Sequence, residues 1–452
     1  MTIAQRLAWL ETLSTLGILA VAVAVLGPAH QPEALWGLAA RLVIVAGVCL
    51  ACLHFCDLYN FETPHDFPSV FTRVCRALGW SAVLLAATYL VFPATIIPGN
   101  LASHALLALL VAVLAIRAAV YALAKRAPFT ERVLIMGAGS LAQELAQQIR
   151  TRADLALRVV GFLGEPVGAV TPATRPGPRL GAYADVADAV RRHRPDRIIV
   201  AMPDRRGQLP VSDLLACRFR GVLIEDCTEA FERFNRRLAV ESLNPSTLIF
   251  GDGFRVTRGR LAVKRVLSVV IALAALALSA PFMAVVAVLI KLESPGPVFF
   301  VQERVGLHGR IFRLVKFRTM RERPAGEADT VLRDNASRVT RLGAVLRRYR
   351  LDEIPQFINI LRGDMSLVGP RPEMAENVAT FSALIPFYAL RHEVRPGLTG
   401  WAQVKAGYSM SIEEVTRKLC YDLYYIKHMS LAFDLRILFD TVKFVLSGKR
   451  PG

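Results

Sequence analysis

The chain has little that could build a disulfide framework or an ordinary soluble surface. Its seven cysteines are odd in number and scattered from Cys49 to Cys420, without the paired spacing of a disulfide scaffold. Cys49 and Cys52 form a CxxC spacing, but they lie in an apolar stretch with no second pair, which favours a packing role over a metal or redox site. Only 20% of the residues are charged, whereas 54% are hydrophobic. These scarcities exclude a secreted disulfide scaffold and indicate a membrane protein.

Acidic residues are also scarce relative to basic ones. The chain has 37 Asp and Glu residues against 55 Lys and Arg residues, a formal net charge of +18. Such a charge suits nucleic acid, anionic lipid or phosphate-bearing ligands. Because long apolar segments accompany it, we expect a lipid bilayer and phosphate ligands as partners, and no nucleic acid.

The first predicted domain, 1–127, contains four transmembrane helices. Each covers an apolar segment near the roughly 20 residues that cross a bilayer, at 8–27, 36–57, 77–97 and 101–124. The distribution of basic residues between these segments predicts that the N-terminus and residue 125 onward face the cytoplasm. The segments hold few polar groups that could line a transport path, so we expect them to anchor or dimerise the protein.

The second predicted domain, 128–250, is a Rossmann-like cytoplasmic module. Short apolar runs predict strands at 132–136, 159–164, 197–203 and 221–227. The segment from Gly137 to Ala142 matches GxGxxA between the first strand and a helical run, a pattern typical of dinucleotide and phosphate loops. Gly137 and Gly139 are therefore candidate nucleotide-binding residues. No Asp or Glu clearly ends the second strand to bind a ribose, so a regulatory or oligomerising module without a cofactor stays open.

The third predicted domain, 251–452, begins with an uncharged run of 25 residues at 266–290. Cations flank this run on both sides, which indicates that both of its ends face the same side of the membrane. Pro281 lies inside the run and would kink a helix, and Ser279 could bond the carbonyl that the proline leaves free. We therefore expect a re-entrant helix rather than a fifth crossing, although a plain span is the default for such a run in isolation.

A second feature of this domain is the segment 347–373, RRYRLDEIPQFINILRGDMSLVGPRPE. Asp352 and Glu353 follow a cationic run, and Pro355 and Gly363 bound an apolar stretch of helix length. The two carboxylates are thus predicted at a helix N-terminus, where free N–H groups and partial positive charge suit phosphate. An Asp N-cap with solvated neighbours is the alternative. Arg371, held between two prolines, favours a phosphate site.

Several separate motifs in this domain resemble the bacterial sugar transferase family, the polyprenol-phosphate hexose-1-phosphate transferases or monotopic phosphoglycosyl transferases. The matching pieces are KLESPGPVFFVQERVG at 291–306, FRLVKFRTM at 312–320, the LDEIPQFINILRGDMSLVGPRPE core, and RPGLTGWAQV at 395–404. The layout ahead of them resembles the long form of the family. The resemblance implies a mainly α catalytic domain with a re-entrant helix, behind transmembrane helices and a Rossmann-like module.

The resemblance also implies an activity and roles for individual residues. It implies transfer of hexose-1-phosphate from a UDP-sugar to undecaprenyl phosphate at the cytoplasmic face of the bacterial inner membrane, with release of UMP. Asp352 would be the nucleophile and Glu353 would help to bind Mg²⁺. The substrate phosphates would be bound by Arg371, Arg350, Arg318 and Lys316. Direct attack by the polyprenyl phosphate with Asp352 as base stays open, and a homodimer is compatible with this reading.

Two other functions fit parts of the chain. An NAD-dependent enzyme acting on nucleotide sugars could be built on 131–228, but its only Tyr-x-x-x-Lys, at Tyr121 to Lys125, precedes the first strand. A non-catalytic scaffold for polysaccharide assembly is the other alternative, and the density of polar residues in 347–373 opposes it. The identity of the sugar is open.

Two C-terminal features have two interpretations each. The segment 431–446 has the amphipathic spacing of a helix that packs on the protein or lies in the bilayer surface. Trp401 is either an interfacial anchor or a core residue.

Overall fold

The chain divides into two compact units, Met1–Ala230 and Phe231–Gly452. The computed structural model of the protein describes residues 32–56, 67–91, 130–152, 157–164, 177–202, 207–243, 245–251, 253–254, 257–322, 338–406 and 411–447, and the single residues 17, 93, 111, 115 and 116. The predicted spans 8–27 and 101–124 therefore lie almost entirely outside the described residues.

The described part of the N-terminal region consists of two helices, α1 (Pro32–Phe55) and α2 (Phe67–Val91), which pack against each other. They coincide with the second and third predicted spans. Cys49 and Cys52 are free thiols buried in α1, as expected for packing residues. Among the described residues, one helix, Arg258–Glu293, is long and apolar enough to cross a membrane. The four-helix transmembrane region stays a prediction.

The rest of the first unit is built on a five-stranded parallel sheet with the order β3-β2-β1-β4-β5. The strands are β1 (Glu131–Met136), β2 (Leu157–Leu163), β3 (Arg179–Gly181), β4 (Arg197–Val200) and β5 (Leu223–Asp226). The helices are α3 (Ser140–Thr151), α4 (Val186–His193) and α5 (Val211–Phe219), and a further helix, α6 (Cys227–Asn235), continues across the boundary into the second unit. The parallel α/β prediction and its four strands are confirmed, and β3 is additional. The strand order reverses between β1 and β4, where Rossmann-like sheets open a crevice.

The second unit is mainly helical, as predicted, with two small sheets. Its helices are α7 (Pro245–Phe250), α8 (Arg258–Glu293), α9 (Arg341–Arg348), α10 (Gln356–Arg362), α11 (Ala375–Leu384), α12 (Trp401–Lys405), α13 (Ile412–Lys427) and α14 (Leu431–Ser447). The strands β6 (Phe299–Val305) and β7 (Ile311–Phe317) form an antiparallel hairpin, and β8 (Ser366–Val368) pairs in parallel with β9 (Gly397–Thr399).

The second unit begins about twenty residues before the boundary predicted at 250/251. Leu238 and Val240 are buried in the same apolar core as Trp401. The indole Nε1 of Trp401 donates to the carbonyl of Arg236 at 2.9 Å. Trp401 is 0% exposed, so it is a core residue and not an interfacial anchor. The segment that begins at Phe231 therefore belongs to the second unit through tertiary packing, which no local sequence pattern predicts.

The apolar run at 266–290 lies within α8, a single helix of 36 residues with Pro281 inside it. Pro281 has no N–H, so the acceptor left free four residues earlier is the carbonyl of Ala277. The Ser279 hydroxyl instead donates to the carbonyl of Ala275 at 2.6 Å, so the predicted partner of Ser279 was wrong. The middle of the helix is solvent-exposed, with Leu278 at 85%.

The two ends of α8 both pack within the second unit. Ala272, towards the first end, is buried in the core that contains Trp401. Val286 and Ile290, towards the second end, pack with Phe317 and Leu346. The helix therefore leaves an exposed apolar centre between two ends that contact the same unit.

The amphipathic segment at the C-terminus forms α14 and packs on the protein through one face. Asp434 and Ile437 are buried, whereas Leu435 is 64% and Val442 is 56% exposed. The buried face shows that α14 packs on the protein. A contact between its exposed apolar face and the bilayer stays a prediction.

Candidate active site

The adjacent carboxylates Asp352 and Glu353 lie in a turn between two helices. After α9, Arg350 adopts a left-handed conformation with φ 54°, and Leu351–Glu353 form a 3-10 turn. Pro355 then caps the start of α10, and Gly363, with φ 95°, ends it. The predicted placement of the carboxylates just ahead of a helix that stops at Gly363 is confirmed. The 3-10 turn was not predicted.

Asp352 is a buried carboxylate, with 9% of its surface exposed. Burial and the neighbouring charge of Glu353 raise the pKa of Asp352 to about 6, against the opposing influence of Lys316 and Arg347. Within the described residues, no other side chain donates a hydrogen bond to this carboxylate. The pKa of Asp352 thus lies closer to neutral pH than that of an ordinary carboxyl group, which is favourable for a nucleophile or base.

Glu353 occupies a different environment. Its Oε1 accepts from Nη2 of Arg371 at 3.0 Å, and its Oε2 lies 3.5 Å from Nη1 of Arg350. Burial alone would raise its pKa, but Arg371 and Arg350 hold the pKa of Glu353 below its usual value. Glu353 is therefore ionised and positioned by two arginines.

Further cations come from the β6–β7 hairpin. The pKa of Lys316 is lowered by burial and by Arg304, while the charges of Asp352 and Glu353 oppose this shift, so its ammonium interacts electrostatically with the two carboxylates. Arg304 donates to the carbonyl of Pro372 at 3.2 Å, next to Arg371. Arg304 stands in the QERVG motif but was not among the predicted site residues. Arg304 reaches the site because β6 and β7 pair as a hairpin. Its spacing in the sequence does not predict this contact.

The main chain of Arg371 is held by a buried network. Arg391 donates to the carbonyl of Arg371 at 3.0 Å, to the Tyr388 hydroxyl at 2.7 Å and to Oδ2 of Asp422 at 2.8 Å. Burial opposes the charge of Arg391, but Asp422 and Tyr388 keep its pKa above the ordinary arginine value. Arg391 and Asp422 were missed from the sequence because both lie far along the chain from Arg371.

Arg318 lies in a different place from the other predicted phosphate ligands. Its guanidinium donates to the carbonyls of Ser294 and Pro295, both at 2.7 Å, in the turn that follows α8. The side chain is buried, and both of its Nη groups are committed to this turn. Arg318 therefore stabilises the turn, and its role as a phosphate ligand stays a prediction.

The arrangement of Asp352 and Glu353 can be compared with the ligands that Mg²⁺ usually has in proteins. Among the described residues, no group of three or more His, Cys, Asp or Glu side chains could hold a metal ion by itself. Mg²⁺ is commonly bound by one or two carboxylates together with substrate phosphates and water. Each oxygen of Glu353 keeps a lone pair beyond its arginine contact. The site thus fits an ion that arrives with a diphosphate and does not form a preformed metal cage.

The glycine loop of the first unit has the local geometry of a phosphate loop. Gly137 has φ 119°, and a Cβ there would come within 2.4 Å of the Ala201 carbonyl oxygen. Gly139 begins α3, with no atom within 4 Å of a Cβ placed on it. The strand, loop and helix are as predicted, and nucleotide binding by Gly137 and Gly139 stays a prediction.

Comparisons with known protein families match two separate parts of the chain. The model of the bacterial sugar transferase family matches residues 259–448, and that of a CoA-binding domain matches residues 54–209. A UDP-glucose:undecaprenyl-phosphate glucose-1-phosphate transferase from Caulobacter vibrioides is 46% identical over 186 residues, which are 41% of this chain and 70% of the relative. The chain belongs to the bacterial sugar transferase family.

Two further relatives extend the comparison. A UDP-glucose:undecaprenyl-phosphate glucose-1-phosphate transferase from Xanthomonas campestris pv. campestris is 32% identical over 327 residues, 71% of this chain and 67% of the relative. A UDP-N-acetylgalactosamine-undecaprenyl-phosphate N-acetylgalactosaminephosphotransferase from Aeromonas hydrophila is 48% identical over 186 residues, 41% of this chain. The match spans less than half, 44%, of that Aeromonas protein.

Proposed function

We propose that the protein transfers hexose-1-phosphate from a UDP-sugar to undecaprenyl phosphate and releases UMP. The observation that carries this proposal is the contrast between two neighbouring carboxylates. Asp352 is buried and has a raised pKa, whereas Glu353 is ionised between Arg371 and Arg350. Such a pair suits a nucleophile beside a charged group that helps to orient a diphosphate.

In the proposed reaction, a carboxylate oxygen of Asp352 attacks the phosphorus that carries the sugar. A bond forms between this oxygen and phosphorus, the bond to the bridging diphosphate oxygen breaks, and UMP leaves with the electron pair. A phosphate oxygen of undecaprenyl phosphate then attacks the same phosphorus and releases the Asp352 carboxylate. In this proposal Lys316, Arg304 and Arg371 would stabilise negative charge on the phosphate oxygens, which their interactions around the two carboxylates support.

Mg²⁺ is proposed as a cofactor that Glu353 and the substrate diphosphate would hold together. When bound, it would neutralise charge on the diphosphate oxygens. Excess EDTA should abolish turnover, and added Mg²⁺ should restore it. Full activity in EDTA would remove the metal from this proposal.

The bilayer placement of α8 is also a proposal. The helix would be about 54 Å long if straight, well beyond the roughly 30 Å of a hydrocarbon core. Flanking cations, Pro281 and the packing of both ends within the second unit support a re-entrant helix with its ends at the cytoplasmic face. Single cysteines at Arg258 and Arg310, in a chain without other cysteines, should both resist an impermeant thiol reagent in intact cells. Labelling at Arg310 before lysis would instead indicate a crossing.

The deciding assay uses the purified protein in lipid nanodiscs with undecaprenyl phosphate, Mg²⁺ and a panel of UDP-sugars. Release of UMP should depend on undecaprenyl phosphate and on one or a few of the sugars. Asp352→Asn is the matched control, because it keeps the shape of the side chain but can neither attack phosphorus nor take a proton. Equal UMP release by this variant, or none by the parent protein with any sugar, would contradict the proposal.

A further inference from the structure

The turn that contains Asp352 lies between two short helices, α9 and α10. One end of α8 contacts α10, and its other end contacts α9. The first contact is made by Arg265, in the third turn of α8. Its guanidinium donates to the carbonyl of Ile360 and, at 2.9 Å, to that of Leu361. These carbonyls belong to the last turn of α10, and that of Ile360 also accepts from the N–H of Gly363, just beyond the helix, at 3.1 Å. A cation at this end also interacts favourably with the helix dipole.

The second contact is made by Glu293, the last residue of α8. Both oxygens of its carboxylate accept from the backbone N–H of Leu342, at 3.2 and 3.3 Å. Leu342 lies in the first turn of α9, where N–H groups lack partners within the helix. Val286 and Ile290, about two turns and one turn earlier in α8, pack against Leu346 of α9 and against Leu351, the residue before Asp352.

The two contacts bracket the catalytic turn. Going along the chain, α9 starts beside Glu293, the turn at Leu351–Glu353 follows, and α10 ends beside Arg265. Both contacts join a side chain of α8 to the main chain of a flanking helix, so they constrain backbone position and do not touch the reacting atoms.

We infer that Arg265 and Glu293 are positioning residues, through which the apolar helix α8 holds both sides of the Asp352–Glu353 turn. The position of α8 in the bilayer is thereby coupled to the geometry of the two carboxylates. The kinetic part of this inference rests on the proposed function, whereas the structural part does not.

The test uses full-length protein in nanodiscs with Arg265→Gln and Glu293→Gln. Matched controls are Arg260→Gln and Lys291→Gln, which remove exposed charges from the same two ends of α8. Hydrogen–deuterium exchange is followed by mass spectrometry, and kcat and KM for UMP release are measured in parallel. We expect faster exchange in peptides covering 342–363, unchanged exchange in α13, and a kcat lowered by about ten- to a hundredfold, since small misplacements of reacting groups cost that much. KM for the UDP-sugar should change little, and the controls should match the parent protein.

The conservative variant Arg265→Lys separates positioning from general stability. It retains a cation that can reach one carbonyl, so it should restore part of the kcat and part of the protection in α10. Unchanged exchange in 342–363 would overturn the inference, as would an equal increase throughout α13. If the parent protein released no UMP, the proposed function would fail, and the exchange data would still decide the positioning role.

Discussion

Asp352 and Glu353 are adjacent in one turn, yet their pKa values are shifted in opposite directions. Burial raises the pKa of Asp352 to about 6, while Arg371 and Arg350 hold that of Glu353 below its usual value despite its burial. The arginines contact Glu353 and leave the Asp352 carboxylate without a comparable partner. Two carboxylates of similar chemistry are thus given different protonation behaviour by their surroundings.

The raised pKa predicts a pH dependence of the first chemical step. Only ionised Asp352 can attack phosphorus, so labelling of the protein by UDP-sugar should increase as pH rises through about 6. The measurement is the rate of label transfer from a radiolabelled donor in the absence of undecaprenyl phosphate, which removes titration of the acceptor from the profile. A rate independent of pH across this region would contradict a nucleophilic role.

The same shift predicts that Asp352→Asn stabilises the protein while inactivating it. The folded-state pKa lies above the unfolded value of 3.8, so the ionised carboxylate destabilises the fold, and this penalty develops as pH rises from 3.8 to about 6 and is complete above it. At neutral pH the substitution should raise the free energy of unfolding by up to about 3 kcal/mol. Thermal unfolding of the parent and variant at two pH values measures this, and the difference should shrink at acidic pH.

Activity measurements on the same variant test the chemistry separately. Asp352→Asn should lose several orders of magnitude in UMP release and should hold no label, whereas Glu353→Gln should be impaired but partly restored by high Mg²⁺. Near-normal turnover by Asp352→Asn would end the catalytic assignment. A loss of turnover in a parent protein that never holds label would instead favour direct transfer.

Arg391 provides a further prediction, because it connects Asp422 to the main chain of Arg371. Arg391→Lys keeps the charge but cannot serve the same three acceptors, so kcat/KM should fall while Asp352 itself is intact. Asp422→Asn leaves a buried guanidinium without its counter-charge and should lower the free energy of unfolding by about 3–5 kcal/mol. Arg417→Lys, at an exposed position of α13, is the matched control and should have no effect on either measurement.

Truncation tests the boundary of the catalytic unit. A chain of residues 231–452 retains Leu238, Val240 and the Arg236 carbonyl that binds Trp401, and it should fold and release UMP in detergent. A chain of residues 257–452 lacks them and should be markedly less stable. Full activity and equal thermal stability of the shorter chain would show that this segment is dispensable.

Much of the catalytic turn could be predicted because its determinants are local. Pro355 and Gly363 mark the ends of α10 through properties of single residues, and the parallel strands of the first unit follow from short apolar runs. The adjacent Asp352 and Glu353 needed no tertiary information to be recognised as a pair.

The remaining site residues depend on contacts between distant parts of the chain. Arg304 reaches the site by hairpin register, and Arg391 reaches Arg371 across a buried network. The contacts of Arg318 with two carbonyls after the end of α8 were not predicted for a related reason, since its neighbours in sequence do not indicate them. Residue types therefore predicted the charge and chemistry of the candidate site, whereas tertiary packing determines which charged side chains contact each other.

The burial of Trp401 against Arg236 has a spectroscopic consequence. The chain has four tryptophans, and Trp9, Trp36 and Trp80 all precede the second unit. In an isolated chain of residues 231–452, all tryptophan fluorescence would therefore come from one indole that is fully shielded from water and bonded to a backbone carbonyl. Its emission should lie at short wavelength and shift to the red on unfolding, so the loss of the segment around Arg236 could be followed optically without any added label.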